Sequence, residues 1–433
     1  MEFNLASLYI KLKSILASPL THNRNFMLLF SAQLISLIGS GLTTIGLALF
    51  AHQLVEGSSA AVVIGNALML RILAFLMFSQ FAGILADRIN RKYMLIAADM
   101  VRLGLLALFP FIDSVWQIYV MIFLINAATA FFTPTFDATI PDIAGREHYV
   151  KALSISRVAV DLEAMLAPAL AGLIFALLGL KWLFWVDSLS YLLSAALVFA
   201  TVFPHRNKIA EKIQLKTLFQ ELSYGTKVLF REVSLKRALL LSFAEATAGA
   251  VAIVASVIYI KDVLLLGETS FVFVMACLGL GSTITALLLG KFTGRYESVA
   301  NDHTELHGLR HRWTERTLLL GGIILGLLLI PGFLKPTLAV FAILWFLNGA
   351  GQVLIAIAST TLLAEHTGET ERGRAYAAHF AWTHAFWLIT YPAIGYGVAV
   401  LGVPWTFTIA GIVCLIIAMI AAFSPKATFN HQH

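Results

Sequence analysis

Nine ionisable side chains interrupt stretches of the chain that are otherwise almost wholly apolar: Arg71, Asp99, Arg102, Asp161, Glu163, Asp187, Glu245, His379 and His384. A charge inside lipid costs a few kcal/mol on insertion scales, so such groups mark ion paths or proton relays by default. Arg71 stays charged and calls for a carboxylate partner or an anionic ligand. Asp161, Glu163 and Glu245 have the chemistry of proton carriers, since a carboxylate in a dry cavity holds its proton until a cation or an arginine arrives. Glu245 ranks first, because no opposite charge lies near it in its own apolar run. Asp99 and Arg102, three apart, fit a local ion pair on one helical face. Asp187 falls near the start of its run, where it would cap or pair at the outer surface. A structural pairing of these carboxylates with Arg71 or Arg157 is the plain alternative.

Histidines add a second chemistry. His303, His307 and His311 are spaced i, i+4, i+8, so a helix would stack them on one face beside Asp302. Neutral imidazoles so arranged suit nickel, zinc, copper or cobalt. A solvated polar loop is the competing reading. His379 and His384, five apart, point to different faces, which counts against a shared site.

The elements that must position these groups are membrane spans. Apolar residues are 59% of the chain and charged ones 12%, about half the roughly 25% charged of soluble domains. Runs long enough to cross a bilayer recur at about 26–51, 61–85, 94–111, 115–136, 155–179, 183–203, 237–260, 270–290, 318–334, 337–364, 375–398 and 404–423. These twelve spans predict an all-α membrane protein. Of the 30 Lys and Arg residues, 25 fall in segments on one side and only Lys181, Lys261 and Lys335 on the other, which predicts both termini in the cytoplasm. The net charge of +6 is therefore explained by topology, and no basic face for nucleic acid is present. Cys277 and Cys414 stand apart inside apolar runs, so no thiolate metal site is indicated.

The polar stretch 206–236 divides the spans six and six. The expected organisation is an interfacial segment 1–25, a bundle 26–205, a cytoplasmic linker 206–236, a second bundle 237–424 and a tail 425–433. In the linker, Ile213, Leu215, Leu218, Phe219 and Leu222 interleave with Lys212, Lys216 and Glu221, as in a helix lying on the membrane surface.

Where the second run ends, the chain reads Gly83-Ile84-Leu85-Ala86-Asp87-Arg88-Ile89-Asn90-Arg91-Lys92. This resembles the loop between spans two and three of the major facilitator superfamily, Gly-x-x-x-Asp-Arg-x-Gly-Arg-Arg/Lys, with Asn90 in place of the second Gly. The resemblance implies two pseudo-symmetric six-helix bundles around a central cavity and transport by alternating access. It assigns a conformational latch to Gly83, Asp87, Arg88 and Arg91. The alternative is that these charges only fix topology. A decayed copy, Gly290-Lys291-Phe292-Thr293-Gly294-Arg295, follows span eight.

Ala167-Pro168-Ala169-Leu170-Ala171-Gly172 is similar to the Gly-Pro-x-x-Gly-Gly element of the family's antiporters, kept here at Pro168 and Gly172 with both other glycines changed to alanine. A plain proline kink is the alternative. The stretches 115–120, 132–142 and 380–392 resemble a bacterial branch that includes nickel-resistance exporters, and that branch also holds macrolide and siderophore exporters. The expectation is a proton-coupled exporter of the bacterial inner membrane, monomeric and without a cofactor, leaning to a divalent metal such as nickel. An organic drug, macrolide or siderophore is the alternative cargo. A lipid translocase, with Arg71 receiving a phosphate, is the alternative of another class. No Gly-x-x-x-x-Gly-Lys-Ser/Thr loop supports an ATP-driven pump or other enzyme.

Overall fold

The computed structural model describes residues 19–55, 57–145, 148–203, 215–299 and 303–424. Six long helices make up the first half: α1 (Arg24–Leu54), α2 (Ser59–Arg88), α3 (Arg91–Leu108), α4 (Val115–Ala144), α5 (Tyr149–Leu178) and α6 (Leu180–Ala200). The helix α7 (Leu215–Arg231) follows. The second half comprises α8 (Val233–Ala250), α9 (Glu268–Val299), α10 (His303–Leu329), α11 (Leu338–His366), α12 (Glu369–Leu401) and α13 (Val403–Phe423). With α8 counted through Val263, ten of these twelve are long and apolar enough to cross a membrane. The exceptions, α5 and α10, carry the polar residues of 149–163 and 303–316 in their first turns. Large apolar side chains such as Leu108, Trp116, Leu177, Phe199 and Phe423 point outward, as lipid-facing residues do.

The chain divides into two compact units, the first comprising residues 1–56 and 66–212, the second 57–65 and 213–433. In the first, α1 packs on α5 and α6, and its glycines set how closely. A Cβ at Gly41 would collide with Ala167, and one at Gly39 would collide with Asp187 and Ser190. Small residues at these crossings bring polar groups of three helices together. Phe50, Phe109 and Phe184 close one end as an aromatic cluster, with centroids 4.5 to 5.7 Å apart.

The opposite end is tied by polar contacts. Asn23 caps α1 and donates to the Ile143 carbonyl at 3.0 Å. Asn90 caps α3, its carboxamide oxygen accepting from the Lys92 amide at 3.0 Å. Its φ of −66° is ordinary for any residue, so the position needs no glycine. Arg91 donates to Asp142 at 2.7 Å, to the Ala86 carbonyl at 3.1 Å and to the Ala138 carbonyl.

In the second unit α8 is irregular. It continues through the π-helical segments Val251–Ala255 and Tyr259–Val263, which flank the short turn Ser256–Ile258. Such bulges interrupt the regular hydrogen-bond ladder and recur at functional sites. Gly249 lies just before them and gives its side-chain space to the Trp387 ring of α12. On α7, Tyr224 donates to Glu371 at 3.2 Å, Arg231 pairs with Glu371 at 2.9 Å, and Arg374 covers the Tyr224 ring at 4.0 Å. These contacts hold α7 along the start of α12.

Candidate functional site

Four helices of the first unit line a polar cavity within an apolar bundle. Its walls include Ser40, Thr43 and Thr44 from α1, Arg71 from α2, Asn126 and Thr129 from α4, and Asp187 and Tyr191 from α6. Leu47, Leu68, Ile122 and Ile125 complete the lining. Its volume is about 50 Å³, several times the roughly 10–15 Å³ needed to hold one water. The cavity can be wet while the surrounding bundle is dry.

Arg71 donates from Nη1 to the Thr44 hydroxyl at 3.1 Å. Its guanidinium stands in coulombic range of two carboxylates, Glu163 of α5 and Asp187 of α6. Asp187 is fully buried and accepts from Thr43 and, at 3.1 Å, from Ser190. Glu163 is half-buried beside Gly41, where the missing side chain leaves room for it against α1. One cation and one carboxylate lining a small wet cavity, with Glu163 in coulombic range from the neighbouring helix, is an arrangement able to take up and release a proton as its charge balance changes.

A second polar group continues from the cavity wall. The Tyr191 and Ser40 hydroxyls are 2.9 Å apart. On the other side of Tyr191 its ring covers the Arg102 guanidinium at 4.2 Å, while Phe132 covers the opposite face at 4.4 Å. Arg102 hydrogen-bonds Asp99, and both residues are buried to 2% exposure or less. The pair expected from their spacing is formed, with two aromatic rings standing in for solvent around the cation.

Arg71 is therefore within coulombic range of Glu163 and Asp187 of its own half. Asp187 is buried against α1 and paired with Thr43 and Ser190. Gly39 of α1 leaves the space that Asp187 and Ser190 of α6 occupy, while Ser188 turns the other way and donates to the Leu103 carbonyl of α3 at 2.9 Å. The signal was present in the α1 stripe Ser36, Gly39, Ser40, Thr43 and Thr44, whose i, i+3, i+4, i+7, i+8 spacing places small polar residues on one face. Glu245 lies half-buried on α8 in the second unit. His379 and His384 are both on α12. His384 Nδ1 is 2.8 Å from the Phe380 carbonyl, and its ring lies against the Phe380 ring. Pro168 and Gly172 lie inside α5, beginning one residue after the Ala167 contact with Gly41, so the small-residue element does sit at a close helix crossing. Arg91 is placed as above. The side chains of Gly83, Asp87, Arg88, Asp161, His303 and His307 lie outside the described residues, although their backbones belong to α2, α5 and α10.

Twelve long helices in two sets of six, with ionisable groups turned into a bundle interior, define a membrane transporter rather than an enzyme. The family model of the Major Facilitator Superfamily matches residues 26–300 and 309–431, and the chain belongs to that superfamily. It is 23% identical over 423 residues to the uncharacterized MFS-type transporter YfiS of Bacillus subtilis, covering 96% of this chain and 97% of that one. It is 25% identical over 211 residues to macrolide efflux protein A of Streptococcus pyogenes, covering 47% of this chain. The match spans about half the length, 51%, of that macrolide efflux relative. The multi-drug resistance efflux pump PmrA of Streptococcus pneumoniae is 26% identical over 254 residues, covering 56% of this chain and 60% of that one. Among solved structures, the nucleoside transporter NupG superposes with a TM-score of 0.70 at 13% identity, over 93% of this chain and 100% of that one. A bacterial homologue of the lysosomal transporter Spinster gives 0.68 at 14%, over 94% and 97%. At such identities the likeness is one of fold.

Proposed function

We propose that this protein is a proton-coupled exporter of small organic molecules in the bacterial plasma membrane, acting as a monomer by alternating access with both termini in the cytoplasm. The observation that carries the reading is the cavity holding Arg71 with Glu163 and Asp187 in range, three ionisable groups in a bundle interior where each is costly without a function. In this reading cargo or conformational change alters the contact between Arg71 and the two carboxylates. The carboxylates then exchange a proton with the medium. Arg91, with Asp87 and Arg88 of the same loop, acts as the latch that must release during each cycle.

Cargo is assigned from the lining. It offers a guanidinium, a carboxylate, an amide, hydroxyls and aliphatic side chains, with neither imidazole nor thiolate among its residues. Such a surface suits an organic molecule with a few polar groups better than nickel, which favours imidazole. The relatives named for macrolide and multidrug efflux point the same way. The test is efflux from proteoliposomes under an imposed pH gradient, with a macrolide, ethidium and Ni²⁺ as separate cargoes. Gradient-dependent movement of an organic cargo supports the proposal, whereas movement of Ni²⁺ alone refutes the cargo assignment.

A further inference from the structure

Away from the cavity residues, in the second unit, two histidines and a glutamate come together from two helices. His311 is on α10, and Glu365 and His366 form the last turn of α11. One ligating atom from each lies within 4.8 Å of the other two. His311 Nδ1 is 3.7 Å from Glu365 Oε2, and the two imidazole centroids are 5.0 Å apart. We infer that His311, Glu365 and His366 form a binding site for a divalent transition-metal ion such as zinc, cobalt or nickel, clipping α10 to α11.

Two features around the cluster support this. His366 Nδ1 lies 3.0 Å from the Leu362 carbonyl. As the donor there, it leaves the Nε2 lone pair for a metal, an arrangement typical of ligating histidines. His311 faces Glu315 with its other nitrogen, Nε2 to Oε1 at 3.8 Å. Glu315 is itself held by the Ser234 hydroxyl at 2.7 Å and by Arg237 at 2.9 Å. Arg237 in turn donates to the Ser424 carbonyl at 2.7 Å. A carboxylate so anchored can orient the imidazole from behind. Two nitrogens and one carboxylate oxygen are a ligand set for these metals that leaves a fourth position for water.

The other half of the chain shows what the site replaces. In the first unit the third and fourth helices are joined near the same ends by Arg91, at the start of α3, and Asp142, near the end of α4. The third and fourth spanning helices of the second unit, α10 and α11, carry His311, further along α10 than Arg91 is along α3, and Glu365, in the last turn of α11. A permanent guanidinium holds the first pair of helices, and a metal ion would hold the second. His303 and His307, expected to share a site with His311, lie on the same helix, but the partners the fold supplies come from α11. The site is separate from the cargo assignment, and its test does not use transport.

The test titrates Co²⁺ into the purified full-length protein in detergent, freed of any affinity tag, reading visible ligand-field absorption and the shift in thermal unfolding temperature. Wild type is expected to bind one equivalent and to unfold at a higher temperature with the metal. Loss of even an outer-shell partner weakens metal affinity roughly 10- to 100-fold, so His366→Asn and Glu365→Gln should each weaken binding at least tenfold and abolish the thermal shift. A variant with His303→Asn, His307→Asn, His431→Asn and His433→Asn together should bind as wild type does. Each variant is scored by its difference with and without Co²⁺, so a change in basal stability does not mask the result. Absence of stoichiometric binding in wild type overturns the proposal, as does binding lost in the four-histidine variant but kept in His366→Asn and Glu365→Gln.

Discussion

Replacing Arg102 with methionine strands the Asp99 carboxylate in the interior of the first bundle. Asp99 is 0% exposed and Arg102 2%, and the guanidinium is sandwiched between the Phe132 and Tyr191 rings at 4.4 and 4.2 Å. Removing one partner of a buried pair costs about 3–5 kcal/mol, mainly through the uncompensated charge left behind. The lost contact with two rings adds to this, by about 0.5–2 kcal/mol. For a cooperative unit of some 200 residues each kcal/mol lowers the midpoint by about 2–4 °C, so Arg102→Met should unfold roughly 7–28 °C earlier. The double variant Asp99→Leu/Arg102→Met removes both charges and keeps the volume filled, which is often neutral or stabilising for such pairs. It should recover at least half of the loss. The assay is thermal unfolding of the detergent-purified protein at one scan rate, because irreversible unfolding makes the midpoint rate-dependent. An unchanged midpoint for Arg102→Met would refute the argument, as would a double variant no better than the worse single one.

Other expected outcomes follow from the same contacts. Gly39→Ala places a methyl group against the Asp187 carboxylate and 2.9 Å from Ser190 Cβ. It should destabilise by about 1–3 kcal/mol as an overpacked core does and should lower export more than Gly104→Ala, where a Cβ meets nothing within 4 Å. Asn90→Ala removes the cap of α3 and should cost about 0.5–2 kcal/mol, whereas Asn90→Gly, the residue of the family pattern, should cost only a few tenths. Equal midpoints for the alanine and glycine variants would contradict the cap. Arg237→Met leaves Glu315 half-buried without its 2.9 Å partner and frees the Ser424 carbonyl. It should lower the unfolding midpoint, and Glu315→Gln/Arg237→Met should lower it less.

The helices, their number and the transporter family were legible because a bilayer demands long apolar runs and because the loop from Gly83 to Lys92 has few other meanings. The interior of the first bundle was legible only in part. Arg71 stands out in any reading of its span, and the Asp99 and Arg102 pair follows from helical spacing. The partners of Asp187 were not legible, because position along a helix says nothing about which way a side chain faces. Its place against α1 depends on Gly39, on a different helix and more than a hundred residues away. The same limit applies to His311: spacing within its helix suggested His303 and His307, while Glu365 and His366 arrive from α11 through packing. Asn90 looked like a defect in a glycine motif, and only the backbone shows that it caps the next helix.

The proposed function stands on the Arg71 cavity carrying the coupling proton. The most direct measurement is proton release by the purified protein on adding a transported organic cargo in weakly buffered solution, for wild type, Glu163→Gln and Asp187→Asn. The account predicts stoichiometric release by wild type, lost in at least one of the two variants while cargo binding persists, and unaltered in Glu245→Gln. Full release in both cavity variants, or its loss only in Glu245→Gln, would contradict it and move the coupling site to the second bundle.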